Sequence, residues 1–169
     1  MPQGLVDDAR FDAVFGDAFQ DISIPQHLVT HEFNELVASR LKPGGVYVLN
    51  VVDALPTPRF MLSLAQTLNA AFRSVELWID RDNVLPIEIR TTWIVLASDR
   101  ETPSDTLEAE YGFGREWVRL PLDRMISAVG SDRLVFLTDD FAPVDRLLGP
   151  VPIWLAQQRP DRRPTTHRV

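Results

Sequence analysis

The sequence predicts an α/β protein, half of a doubly wound sheet closed by an antiparallel edge strand. Three observations predict it. Short apolar, β-branched runs alternate with stretches whose apolar residues recur at helical spacing. A Lys42-Pro43-Gly44-Gly45 turn joins one such helix directly to a nearly continuous apolar strand, as expected of a strand covered on both faces. Two later apolar runs are separated by a short polar, proline-containing connection of the kind that closes a hairpin.

The elements follow in order. Residues 11–15 (FDAVF) read as a buried strand ending in Gly16-Asp17, so that its carboxyl end presents Asp17. Residues 18–30 form a loop carrying Pro25. Thr30 is a helix N-cap, and residues 31–41 place Phe33, Leu36, Val37 and Leu41 on one face. Glu32 in the first turn and Arg40 and Lys42 in the last match the helix dipole. Residues 46–52 (VYVLNVV) are the next strand. Thr57-Pro58 reads as an N-cap followed by proline at the first helical position. Phe60, Leu64, Leu68 and Phe72, with Met61, continue as a helical stripe. Residues 75–79 and 89–97 read as strands. Residues 99–114 are expected to be a loop, with a helical turn near 106–110. Residues 122–129 read as a short helix and 144–148 as a last helical turn. The domain expected is residues 1–150, with 151–169 an extension ending in an arginine-rich, disordered tail.

Composition bounds the function. With 169 residues, 45% of them apolar and 24% charged, the chain is one ordinary globular domain. It has no cysteine, which removes disulfides, thiolate metal sites and cysteine nucleophiles together, and its three histidines make a histidine-rich metal site a poor expectation. The net charge is −7. Arg159, Arg162, Arg163 and Arg168 crowd the last eleven residues beside the lone acid Asp161, so the body is more acidic still. An acidic body disfavours nucleic acid and favours a cationic partner, although charge kept for solubility explains the same balance. No apolar run is long enough to span a bilayer and no secretory signal opens the chain, so neither a membrane nor export is expected and the reading is cytoplasmic. Neither a G-x-G-x-x-G nor a G-x-x-x-x-G-K-[ST] sequence occurs, so the glycine-rich turn that binds nucleotides in doubly wound sheets is not found.

Residues 11–52 carry a specific combination. A strand ends in Asp17-Ala18-Phe19, a loop with Ile24-Pro25-x-His27-Leu28 leads into Thr30-x-Glu32-Phe33, and Leu41-Lys42-Pro43-Gly44-Gly45 opens the next strand. Later, residues 137–145 read LTDDFAPVD. In these features the chain resembles the C-terminal half of spermidine synthase-like proteins, the polyamine aminopropyltransferases, over most of residues 11–148. The resemblance implies a Rossmann-like, class I methyltransferase-type domain lacking its first three strands. Residues 11–16, 46–52, 75–79 and 89–97 would then be its fourth to seventh strands. It also implies decarboxylated S-adenosylmethionine as co-substrate, with its aminopropyl group moved to a small cationic amine such as putrescine. The cofactor-binding residues stay unassigned, because the half that would hold the nucleoside is the missing one.

Asp17 is the strongest candidate for chemistry. It sits at the carboxyl end of a strand, where this fold class binds ligands, and it matches the family's catalytic aspartate. A carboxylate there can orient an amine and accept its proton as the nitrogen attacks the carbon beside a sulfonium. Capping of the loop is the plainer role for the same residue. Asp21 is a candidate for a diamine's second charge, and Gln20 a candidate substrate contact; the family often carries an acid three residues after the first, where this chain has Gln20. His27, in the loop the resemblance places over the substrate, is a candidate amine contact, with packing as its plainer role. Asp139 or Asp140 is expected to cap the following helical turn. Trp78, Trp93, Trp117 and Trp154 are expected to pack, and Glu108 and Glu110 to be solvated. Two other functions fit the sequence. One is a non-catalytic interaction module, homo-oligomeric through residues 11–15 as an exposed strand edge. The other is a methyltransferase-fold protein with a different substrate, which the Gln20 replacement suggests.

Overall fold

The computed structural model describes residues 9–17, 24–55, 57–84, 90–111 and 114–148. Ten elements follow in order: β1 (Phe11–Gly16), α1 (His31–Arg40), β2 (Leu41–Ala54), α2 (Arg59–Leu68), β3 (Ser74–Asp80), β4 (Arg90–Ser98), β5 (Thr106–Glu108), β6 (Glu116–Leu120), α3 (Leu122–Val129) and α4 (Val144–Leu148). The six strands form one sheet in the order β1-β2-β4-β3-β6-β5. β1 and β2 are parallel, and every other neighbouring pair is antiparallel.

This order corrects the expected edge. β4 does run antiparallel, but it is inserted between β2 and β3 and is an inner strand. The far edge is built by β5 and β6. Residues 106–108 form strand β5 rather than a helical turn, and β6 was not anticipated at all. Both are short, and β5 is exposed throughout, so neither carries the apolar alternation that reveals a longer strand. β6 is laddered to β3, with Val118 and Leu120 packed on the core, and a charge network joins the same two strands. The carboxylate of Glu76, itself buried, accepts hydrogen bonds from the Trp78 indole (3.0 Å), the Thr102 N–H (2.5 Å) and Arg119 (3.3 Å). Arg119 also pairs with Asp105 and lies 5.9 Å from the Trp78 ring centre.

The core lies on one face of the sheet. Tyr47, Leu49 and Val51 of β2 alternate inward and meet Val37 of α1, six apolar residues of α2, Val129 of α3 and Val144 and Leu147 of α4. α2 is the central helix. Phe60, Leu64 and Leu68 are buried as the stripe predicts, and Phe72 packs partly buried beyond the helix end. Truncating Phe60 to alanine would cost about 3–5 kcal/mol at such a site. In α1 the expected face is only partly right: Val37 is buried, but Leu36 is 52% exposed and Asn34 takes an inward position. Trp78 and Trp93 are fully buried, and Glu108 and Glu110 are exposed, as expected.

Two caps differ from expectation. Thr30 does cap α1, accepting the Phe33 N–H. Thr57 does not cap α2, which begins at Arg59. Asp53, at the end of β2, does so from outside the helix: its Oδ2 accepts the Met61 N–H at 2.9 Å and its Oδ1 the Ala54 N–H at 2.7 Å. Asp139 and Asp140 do not cap α4 either. They occupy a tight turn closed by Thr138 and Phe141, and the Asp139 N–H donates to Glu32 at 3.0 Å.

Candidate functional site

The strand ending in Asp17 is an edge strand, not a buried one. Phe11 is 49% exposed and Phe15 75%. Gly16 explains how its carboxyl end closes on β2. A Cβ there would lie 3.1 Å from the Tyr47 hydroxyl and 3.4 Å from Leu49, too close for comfortable contact. Burial pushes the Tyr47 hydroxyl up to about 12, so it stays neutral beneath that strand end.

Alternation turns Asp17 to the opposite face from Gly16, the face that α1–α4 leave open. There it accepts a hydrogen bond from the Asn50 side-chain amide at 2.9 Å. Asp17 itself is exposed. Among the described residues no arginine holds it, and it does not point into the packed interior. The Asn50 Oδ1 is buried without a hydrogen-bond partner. Asn50 was missed by sequence reasoning, although a signal was present: it is the single polar residue in the run VYVLNVV.

The other candidates are placed unevenly. Gln20 and Asp21 lie outside the described residues, as does Trp154. His27 is exposed on a single 3₁₀ turn, Gln26–Leu28, and its carbonyl accepts the Thr30 hydroxyl at 3.5 Å. No hydrogen bond joins His27 to Asp17 among the described residues. The structure does bring together the two ends of the sequence pattern. The His31 N–H donates to the Leu137 carbonyl at 2.8 Å, and Gln26 lines one cavity with Asp140, Phe141, Pro143, Asp145 and Arg146. That cavity, of about 340 Å³, carries two carboxylates and one guanidinium. A second cavity, of about 260 Å³, lies at the other end of β2 and is lined in part by Arg10, Lys42, Arg73 and Asp99. Among the described residues no cluster of three or more histidines and acids could hold a metal, and no helix is long and apolar enough to cross a membrane.

Segment 134–138 reaches this region without joining the sheet. Two buried hydroxyls of α2, one turn apart, hold it. Ser63 accepts the Val135 N–H at 3.1 Å and Thr67 the Leu137 N–H at 3.0 Å. Each hydroxyl donates in turn to the carbonyl four residues back, so both are satisfied.

With this geometry in place, comparison with known proteins adds two likenesses. No protein-family model matches the chain. It is 43% identical over 42 residues to a probable polyamine aminopropyl transferase of Bifidobacterium longum, a stretch that spans 25% of this chain and 9% of that protein. Its fold is similar to that of a probable spermidine synthase from Corynebacterium glutamicum, with a TM-score of 0.59 at 20% identity over 81% of this chain and 50% of that one. The chain thus spans about half of the solved relative and a much smaller share of the curated one. The structural likeness shows the fold, a mixed α/β one, and the sequence likeness is confined to 42 residues.

Proposed function

We propose that this chain carries the amine side of an aminopropyl transfer, with Asp17 receiving the cationic acceptor. The observation that carries the reading is the exposed Asp17 carboxylate at the carboxyl end of β1, held by Asn50 and, among the described residues, by no arginine. The names of the two similar proteins support a polyamine as the substrate class, and the resemblance implies decarboxylated S-adenosylmethionine as the co-substrate.

The chemistry asked of Asp17 is modest. Asp17 accepts one proton from the ammonium of the cationic acceptor and passes it to water, which frees the nitrogen lone pair to attack the methylene carbon beside the sulfonium. A carbon–nitrogen bond forms, the carbon–sulfur bond breaks, and methylthioadenosine leaves with the electron pair on sulfur. The product is left as a secondary ammonium. Asn50 fixes the carboxylate by donating to Oδ1, leaving Oδ2 to face the nitrogen. Asp21 and His27 are proposed as further amine contacts. The cavity joining Gln26 to Asp140 and Asp145 is an acidic approach to the same loop. The glycine-rich turn that would cradle the nucleoside is not found in this sequence, and we assign the co-substrate's site to a further polypeptide segment.

Single-turnover transfer of labelled aminopropyl to putrescine tests the reading. The chain supplemented with that segment is expected to form spermidine, and Asp17→Asn to slow the step by about 10²–10⁴-fold, the range of a general base. Unchanged turnover in Asp17→Asn would remove the residue from the chemistry.

A further inference from the structure

The cavity of about 260 Å³ at the start of β2 lies at the opposite end of that strand from Asp17. Its walls come from the ends of α1 and β4, the first residues of β2 and the turn that follows α2. Buried Leu41 and half-buried Phe72 give it apolar surface. Arg10, Lys42 and Arg73 line it as well, each from a different segment of the chain.

Three cations around one cavity run against a net charge of −7. Arg10 is anchored through one nitrogen. Its Nη1 donates to the Ser39 carbonyl at 2.9 Å and to the Leu41 carbonyl at 3.3 Å, where α1 passes into β2. Its Nε and Nη2 engage nothing among the described residues. Arg73 forms no hydrogen bond or ion pair among the described residues. Lys42 holds Asp12 at 2.8 Å, but both ends of that pair are exposed, and such pairs are weak and readily screened. Asp99 is the one acid among the described residues that line the cavity, and its Oδ2 already accepts the Gly44 N–H at 2.9 Å. The charge facing the cavity is therefore positive, and it is mounted beside apolar surface that strengthens its pull on an anion.

We propose that this cavity binds a small phosphate monoester, with the phosphate against Arg10, Lys42 and Arg73 and the organic group against Leu41 and Phe72. A phosphate monoester brings close to two negative charges and three terminal oxygens, one for each cation, where a carboxylate brings one charge and two oxygens. The guanidinium fork suits those oxygens. The cavity falls short of the roughly 300–1,000 Å³ of drug-sized sites, which limits the organic group to about one ring. The site is independent of the amine-transfer reading, because neither Asp17 nor Asn50 takes part in it.

Phenyl phosphate is the probe, titrated into the full chain at constant ionic strength and followed by calorimetry, with inorganic phosphate and benzoate as comparisons. Phenyl phosphate is expected to bind saturably and more tightly than either, because it alone offers both halves. Arg73→Gln is expected to weaken that binding at least about tenfold, the effect of losing one charge-assisted hydrogen bond. The melting temperature of the free chain should not change, because Arg73 is exposed. Arg146→Gln, which alters the other cavity, is expected to leave the affinity as it is. No saturable heat from phenyl phosphate overturns the proposal. So does binding that Arg73→Gln leaves intact, that Arg146→Gln weakens as much, or that benzoate or inorganic phosphate matches.

Discussion

Asn50 donates its side-chain amide to Asp17 across the carboxyl ends of the parallel pair β1–β2, at 2.9 Å, and leaves its own Oδ1 buried without a partner. An unpaired buried acceptor costs about 1–3 kcal/mol, and apolar replacement removes that cost. Asn50→Leu is therefore expected to hold or raise the urea midpoint while weakening amine transfer, through loss of the group that orients Asp17. Urea titration beside a transfer assay separates the two effects. A clear drop in the midpoint would show that Asn50 is structural.

Asp53 gives the fold a pH dependence. Burial pushes its carboxyl up from 3.8 to about 6, against the pull of the Met61 and Ala54 N–H groups and the charge of Arg90. A folded value above the unfolded one means that the native state binds the proton more tightly. The associated stability is fully present below about pH 4 and is lost as pH rises through about 6. The loss amounts to about 3 kcal/mol for a shift of about two units. Asp53→Asn is expected to flatten that slope, at the expense of one of the two N–H bonds the carboxylate accepts. Denaturation midpoints at pH 4, 5, 6 and 7 check it; an identical slope in both proteins would assign the dependence to another group.

Thr67 ties two parts of the chain that are far apart in sequence. Its hydroxyl donates to the Ser63 carbonyl and accepts the Leu137 N–H, with no exposure to solvent. Thr67→Val keeps the shape and removes both bonds, leaving the Leu137 N–H buried and unpaired. The expected loss is about 1–3 kcal/mol, with faster amide exchange at Leu137 than elsewhere in the core. Retained protection at Leu137 would mean that packing alone holds the segment.

Gly16→Val tests the approach of β1 to β2. The added Cβ meets the Tyr47 ring at 3.2 Å, tighter than an ordinary contact. A loss of about 1–3 kcal/mol is expected, as for overpacking elsewhere. Tyrosine fluorescence and thermal melting read it out, and a melting temperature equal to the parent's would show that the strand end gives way freely.

Much of the fold was legible because local and global preferences agree. The α2 stripe from Phe60 to Leu68, the Thr30 cap and the apolar runs of β2, β3 and β4 are each periodic and long enough to declare themselves. Topology beyond neighbouring elements was not. Nothing in the sequence of β4 says that it lies between β2 and β3, because that depends on which edges remain free after the helices have packed. β5 and β6 escaped notice because both are short and β5 is exposed throughout, so neither shows a long apolar alternation. Asp53 could not be seen as the α2 cap because it precedes the helix by six residues and the intervening chain returns to it. At the candidate site, position at a strand end together with the family resemblance made Asp17 a candidate. The Asn50 that holds it became visible only once β1 and β2 were seen side by side.

The most direct test follows the Asp17 carboxyl carbon by NMR as putrescine is added at constant ionic strength. The account predicts a saturable shift at Asp17 that methylamine reproduces only at far higher concentration and that Asn50→Leu weakens. A flat Asp17 resonance, with saturable shifts at Asp140 and Asp145 instead, would contradict it and move the amine to the other cavity.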